Sequence, residues 1–381
     1  MIKSKRILFI VFLVVLLTGC RKGNEILDME TPLGDEHMVI VATLFPQYDF
    51  ARQIAGEYAE VIMLLPPGIE SHSYDLRPAD MITIRESDIF IYTGKYMETW
   101  AQTIIDSLDG SVMVVDASEG ITLSKETDYY IEEHVHEDDE NHEHEDHEYE
   151  ADGHAEDENH EHEGDEHGEG DDLADEAHEH EEDEDQERSE NHGHEEEAHE
   201  HSGHHHEYDP HIWTNPVYAM SMVENITHAL CAKDPEHAVQ YQERADEYIS
   251  ELEELDAALC EIADEAQSKT IFFGGRFAMS YLVKEYGFDC LAAYHDCSAE
   301  SEPSISSVMR MIDEIREHNA KAVYYEELAD PKVAGTIAEE TGVKLLLLHS
   351  AHNVTKEDFD NGITYLDIMW QNVDRLKEGL Y

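Results

Sequence analysis

The stretch MVIVATLFPQYDFARQIAGEYAEVIMLLPPG, from Met38 to Gly68, decides the fold. It opens with Met38 to Leu44, a continuous apolar run rich in β-branched residues. A run without polar alternation suits a strand buried on both faces. Pro46 then starts an amphipathic pattern through Tyr48, Phe50, Ala51, Ile54 and Ala55, and Gly56 stops it. Glu60 to Leu65 is a second apolar run, ended by Pro66, Pro67 and Gly68. Two buried strands joined by a helix read as a parallel βαβ unit.

The alternation continues on both sides of a long interruption. Before it come a helix over Pro78–Glu86, a strand over Ile89–Tyr92, a helix over Met97–Leu108 and a strand over Val112–Val115. After it, Pro216 to Ala266 is a helical pattern without glycine, and Pro235, preceded by Asp234, predicts a kink or short break. Strands then follow at Thr270–Phe273, Asp289–Ala293, Ala322–Tyr325 and Lys344–Leu348. Between and after them lie helices at Phe277–Tyr286, Ser304–His318, Lys332–Thr341 and Ile363–Glu378. The fold class is α/β: two Rossmann-like βα lobes joined by a long backbone helix. Such sheets bind ligands outside the carboxyl ends of their strands, here in an interlobe cleft.

The interruption holds most of the charge. The 381 residues carry 90 Asp plus Glu against 24 Lys plus Arg, a formal charge of −66. An electrostatic nucleic-acid binder needs a basic face, so that class is excluded, while cations are suitable partners. Between Glu132 and Glu207 stand 37 acids, 18 histidines and one arginine, Arg188. With almost no apolar side chains, residues 132–207 cannot offset chain entropy and read as a disordered His/Asp/Glu-rich loop. Pairs such as His142 with His144 and His160 with His162 suit loose, exchanging zinc sites in a field of carboxylates.

The amino terminus reads as a targeting signal. Lys3, Lys5 and Arg6 precede an apolar run from Ile7 to Leu17, too short to span a bilayer. Leu17-Thr18-Gly19-Cys20 resembles the bacterial lipobox, which implies lipidation at Cys20 and an extracytoplasmic, membrane-anchored protein. The remaining Cys231, Cys260, Cys290 and Cys297 form no recognisable disulfide or zinc framework.

Several motifs follow strand ends. Gly68-x-x-x-His72-x-Tyr74 comes after a strand, and Asp209-Pro210-His211-Ile212-Trp213 comes before the long helix. Tyr92 to Trp100 reads Tyr-x-Gly-x-x-x-Glu-x-Trp. Asp330 to Gly342 carries Asp-Pro-Lys-x-Ala-x-x-Ile-Ala-x-x-Thr-Gly, and Tyr365 to Asn372 carries Tyr-x-x-x-Met-x-x-Asn. Together these resemble the cluster A-I solute-binding proteins, the zinc and manganese receptors of ABC importers, over residues 39–131 and 208–381. The acidic, histidine-rich loop resembles that of the zinc-type members.

The resemblance implies two α/β lobes, a rigid backbone helix and a metal held between the lobes. Its domains would be a signal peptide at 1–20, a tether at 21–37 and an N-terminal lobe at 38–131 with 208–217. The loop at 132–207, a linking helix at 218–266 and a C-terminal lobe at 267–381 complete the chain. His72 and His211 match the first two histidine ligands of the family. Arg276 stands where the third histidine would be, and a guanidinium has no lone pair to give. His349, after the last strand and with His352 close by, takes the fourth position as a nitrogen ligand. Cys297 is a candidate thiolate in place of the third ligand. His295 and Glu302 are nearby alternatives, and Glu302 could instead pair with Arg276.

The function implied is capture of Zn2+ as a transported ligand for delivery to an ABC permease and its ATPase. Histidine-rich ligation favours zinc over Mn2+, which prefers oxygen donors. An enzyme is the competing class. The chain has neither a His-Glu-x-x-His helix nor a Gly-x-Ser-x-Gly turn, and only Glu70 offers itself as a base for a zinc hydrolase. A storage or adhesin lipoprotein is a third reading, with no receptor surface in the sequence to favour it.

Overall fold

A computed structural model describes residues 37–70, 74, 76–125, 207–294 and 303–381. His72, Cys297, Cys20 and the segment 126–206 lie outside the described residues. The Met38–Gly68 stretch forms β1 (Met38–Ala42), α1 (Phe45–Ala55) and β2 (Ala59–Met63). β1 and β2 are parallel, with Met38 opposite Ala59 and Ala42 opposite Met63. Pro46 occupies the first turn of α1, where its missing N–H costs nothing. At the other end Gly56 takes φ 57°, a conformation costly for other residues. Between them α1 buries Phe45, Phe50, Ala51 and Ile54.

The first sheet is completed by α2 (Pro78–Glu86), β3 (Ile89–Tyr92), α3 (Ala101–Ile105) and β4 (Met113–Asp116). Its strand order is β2-β1-β3-β4, all parallel. α3 is shorter than the Met97–Leu108 expectation. The reason is Glu98, whose buried carboxylate accepts the N–H groups of Thr93 and Gly94 at 3.1 and 3.2 Å and pins the chain to the end of β3.

The connection between the lobes is two helices, α4 (Pro216–Lys233) and α5 (Ala238–Glu265), rather than one. The break falls at Asp234-Pro235, as the proline predicts. It is held by Asp234, whose carboxylate accepts from His237 Nδ1 and from the Tyr241 hydroxyl, both at 2.7 Å.

The second lobe repeats the plan of the first. It comprises β5 (Thr270–Phe273), α6 (Ser280–Tyr286), β6 (Asp289–Ala292), α7 (Ile305–Glu317), β7 (Ala322–Tyr325), α8 (Lys332–Thr341) and β8 (Lys344–Leu347). The parallel order β6-β5-β7-β8 matches that of the first sheet. α9 (Lys356–Asp360) and α10 (Tyr365–Leu380) close the chain.

α10 packs back across both lobes. Phe50 of α1 meets Tyr365 of α10 edge-on at 4.9 Å, and Asp49 of α1 accepts the Tyr365 N–H at 2.7 Å. Asp49 is fully buried; burial raises its pKa, opposed by Tyr365 and by Arg52 at 2.5 Å. Among the described residues no helix is long and apolar enough to cross a membrane.

Candidate metal centre

The carboxyl ends of both sheets supply the loops of the centre. His211 is 1% exposed and precedes a 3-10 turn, Ile212–Thr214, that leads into α4. Asp209 accepts from it twice, from the His211 N–H at 2.8 Å and from Nδ1 at 2.6 Å. A carboxylate only accepts, so Nδ1 carries the proton and Nε2 the lone pair. Asp209 is itself seated by the second lobe: the Ser280 hydroxyl donates to its other oxygen, and the Tyr281 hydroxyl donates to its carbonyl at 2.6 Å. Burial works against the charge of Asp209, but the His211 and Ser280 contacts hold its pKa below the ordinary value.

His352 is the side chain brought to His211. Their ring centroids are 4.4 Å apart, with Trp213 4.9 Å from His352. Trp213 Nε1 donates to the Ser350 carbonyl at 2.8 Å, which ties this loop to the His211 motif. The Ser350 hydroxyl donates to Glu327 at 2.5 Å and lies 2.8 Å from His352 Nδ1. Having given its one proton to Glu327, the hydroxyl accepts from Nδ1–H, which leaves the lone pair of His352 on Nε2.

His349 is arranged in the opposite sense. The Ala351 N–H donates to its Nδ1 at 2.9 Å, so Nδ1 is the acceptor and Nε2 carries the proton. Its backbone is anchored by Asn372, which accepts from the His349 N–H at 2.9 Å and donates to its carbonyl at 2.8 Å. Burial lowers the pKa of this imidazole. The sequence motif alone favoured His349 over His352; the hydrogen bonds place the lone pair on Nδ1 in His349 and on Nε2 in His352.

The loop leading to His72 is stitched to the same region. Asn353 Nδ2 donates to the carbonyls of Pro66 and Ile69, both at 2.8 Å, and the Gly68 N–H donates to the Val354 carbonyl at 2.8 Å. Gly68 makes this turn at φ 82°. His72 and Cys297 fall outside the described residues, and among the described residues no group of three or more His, Cys, Asp or Glu side chains forms a metal cluster.

Beside His352 a cavity of about 140 Å³ opens between the lobes, lined by Ile69, Glu70, Arg276, Glu326 and Glu327 among others. Glu326 directly follows β7 and accepts the Arg276 N–H at 3.1 Å. Burial raises the Glu326 pKa, and Arg276 opposes it. Gly275 has no Cβ because one would collide with that carboxylate. Arg276 therefore lines the cavity with a cation where the family resemblance places an imidazole. Sequence reading passed over Asp209, Ser350 and Glu327. The Ser350-x-His352 spacing is the one local signal that could have found the second of these.

A protein-family profile described as zinc-uptake complex component A, periplasmic, matches residues 40–379. The chain is 32% identical to the high-affinity zinc uptake system protein ZnuA of Bacillus subtilis, over 98% of this chain and 97% of that protein. It is 29% identical to the zinc-binding lipoprotein AdcA of Streptococcus pneumoniae, over 90% of this chain and 56% of the longer AdcA. Among solved structures it is similar to the metal-dependent lipoprotein YcdH of Bacillus subtilis. The TM-score is 0.63 at 28% identity, over 90% of this chain and 99% of that one.

Proposed function

The chain belongs to the zinc-uptake component A family, and from that premise we propose that it captures Zn2+ outside the cytoplasmic membrane and hands it to the permease and ATPase of an ABC importer. It is a receptor, and its cargo is the metal. The observation that carries this reading is the pair His211 and His352, drawn from opposite sides of the interlobe cleft with Nε2 the lone-pair nitrogen of each. Neutral imidazoles suit zinc, a borderline metal with a preference for nitrogen and sulfur, better than manganese.

The proposed ligand set is His72, His211 and His352. Tetrahedral zinc accepts three protein ligands with a fourth position for water or another donor, and Cys297 remains the candidate for that place. Arg276 stays outside the coordination sphere. Cys20 would carry the lipid that keeps the protein at the membrane.

Zinc titration of the full chain with a competing chelator tests the centre. His211→Ala and His352→Ala should each weaken the tight site by at least about tenfold while weak sites persist. Unchanged tight binding in both variants would remove the basis of this assignment.

A further inference from the structure

We propose that Glu327 and Ser350 are positioning residues of the metal centre, fixing through a single hydroxyl which nitrogen of His352 is presented to the metal. The proposal rests on the reading of His352 as a ligand. It deepens that reading by naming what makes this histidine competent.

The argument is one of proton counting. Glu327 Oε1 accepts a hydrogen bond from the Ser350 hydroxyl at 2.5 Å, and Glu327 Oε2 accepts one from the Ser350 N–H at 2.8 Å. Both contacts require the carboxylate as acceptor, so the hydroxyl has no proton left for His352. Nδ1 at 2.8 Å must then be the donor. The result is a carboxylate–hydroxyl–imidazole chain, longer by one residue than the direct Asp209–His211 contact on the other side of the cleft. Outer partners of this kind set ligand tautomer and raise donor strength. When a cation draws electron density through Nε2, Nδ1–H becomes more acidic. The Ser350 hydroxyl and Glu327 then take up part of the charge through existing hydrogen bonds, with no atom transferred.

The chain is also rigid. Glu327 sits two residues past β7, while Ser350 is held through its N–H by Glu327 and through its carbonyl by Trp213 Nε1. Glu327 lies 3.6 Å from His349 Nδ1 as well, but that nitrogen already accepts the Ala351 N–H. The two histidines share a carboxylate neighbour and end in opposite tautomers. The difference is the group that meets Nδ1, the Ala351 N–H at His349 and the Ser350 hydroxyl at His352.

The test uses the full chain with zinc as the probe. Ser350→Ala should weaken the tight site by about 10- to 100-fold. Ser350→Thr keeps the hydroxyl and should keep the affinity. In metal-free protein labelled with 15N-histidine, the His352 signals are identified by their loss in His352→Ala. They should report Nδ1–H in the wild type and in Ser350→Thr, and a shift toward Nε2–H in Ser350→Ala. A steric role alone would not move the tautomer. If Ser350→Ala keeps either the wild-type tautomer or the wild-type affinity while His352→Ala binds zinc weakly, the relay is wrong and the ligand assignment stands. If His352→Ala itself binds as the wild type does, the ligand assignment fails and the relay fails with it.

Discussion

Asp209 decides which nitrogen of His211 carries the proton. It is buried, it accepts two hydrogen bonds from His211, and the Ser280 hydroxyl and the Tyr281 contact with its carbonyl keep it in place. Asp209→Asn puts an amide donor beside Nδ1 and removes the reason for Nδ1 to hold the proton. Zinc affinity at the tight site should fall by about 10- to 100-fold with the fold intact, read by chelator competition and by the unfolding midpoint. His352→Asp replaces nitrogen by oxygen, so it should lower zinc affinity and raise the affinity for Mn2+ relative to zinc; competition titration of the two metals measures the ratio. Unchanged selectivity would show that this side chain does not reach the metal. At this scale the sequence was half legible. The sequence brought the Gly68 turn and the His211 motif into view as loops that follow or precede regular elements, and Arg276, without a lone pair, was never a candidate ligand. Which ring nitrogen of His349 and of His352 carries the proton was not legible, because it turns on whether Ala351 N–H or the Ser350 hydroxyl meets each ring, and no periodicity encodes that.

Strand ends are where the elements do their chemical work, and Glu98 shows the cost. Its carboxylate joins the end of β1 to the end of β3 by accepting from the Thr43 hydroxyl at 2.5 Å, the Thr93 hydroxyl at 3.0 Å and two backbone N–H groups. Burial is the dominant influence and pushes its pKa from 4.5 up to about 7 against those hydrogen bonds. Between those values the folded chain holds a proton that the unfolded chain has released. The stability contributed by that proton is complete below about pH 4.5 and is lost as pH rises through about 7. Glu98→Gln cannot ionise. Relative to wild type it should therefore gain roughly 3 kcal/mol between pH 4.5 and pH 8, seen by urea unfolding at a series of pH values. A difference that is flat with pH would rule out the raised pKa. The same residue explains an element misjudged from sequence. Apolar spacing predicted a helix over Met97–Leu108, but burying Glu98 against backbone donors delays the helix to Ala101. The parallel strands were legible because each is a short apolar run between helical patterns. The break at Pro235 was legible because proline lacks the donor a continuous helix needs.

At the scale of the whole molecule, the described residues that flank the acidic segment are joined to each other next to His211. Lys125 and Tyr208 pair as an antiparallel bridge, and the Asp209 N–H donates to the Ser124 carbonyl at 2.9 Å. Tyr281 of α6 joins both arms: its hydroxyl accepts the Ser124 N–H at 3.0 Å and donates to the Asp209 carbonyl. The chain thus leaves and re-enters the fold at adjacent residues, so deleting residues 132–206 leaves two ends that a short connection can join. Loop closure depends only weakly on length, so the shortened protein should unfold at the same urea midpoint. His211 keeps its described neighbours, since among the described residues Asp209 orients it, and Asp209 is in turn held by Ser280 and Tyr281. The tight zinc site should survive with little change in affinity. What the deletion removes is the 18 histidines and most of the net negative charge concentrated there. Total zinc bound per chain should fall from several to one. The rate of zinc capture at low ionic strength should also fall, because a strongly negative field raises the local cation concentration and salt screens it. Titration and stopped-flow capture at two salt concentrations measure both effects. Loss of the tight site in a deletion variant that still unfolds cooperatively would mean that the loop supplies a primary ligand, and that the centre is not complete in the two lobes.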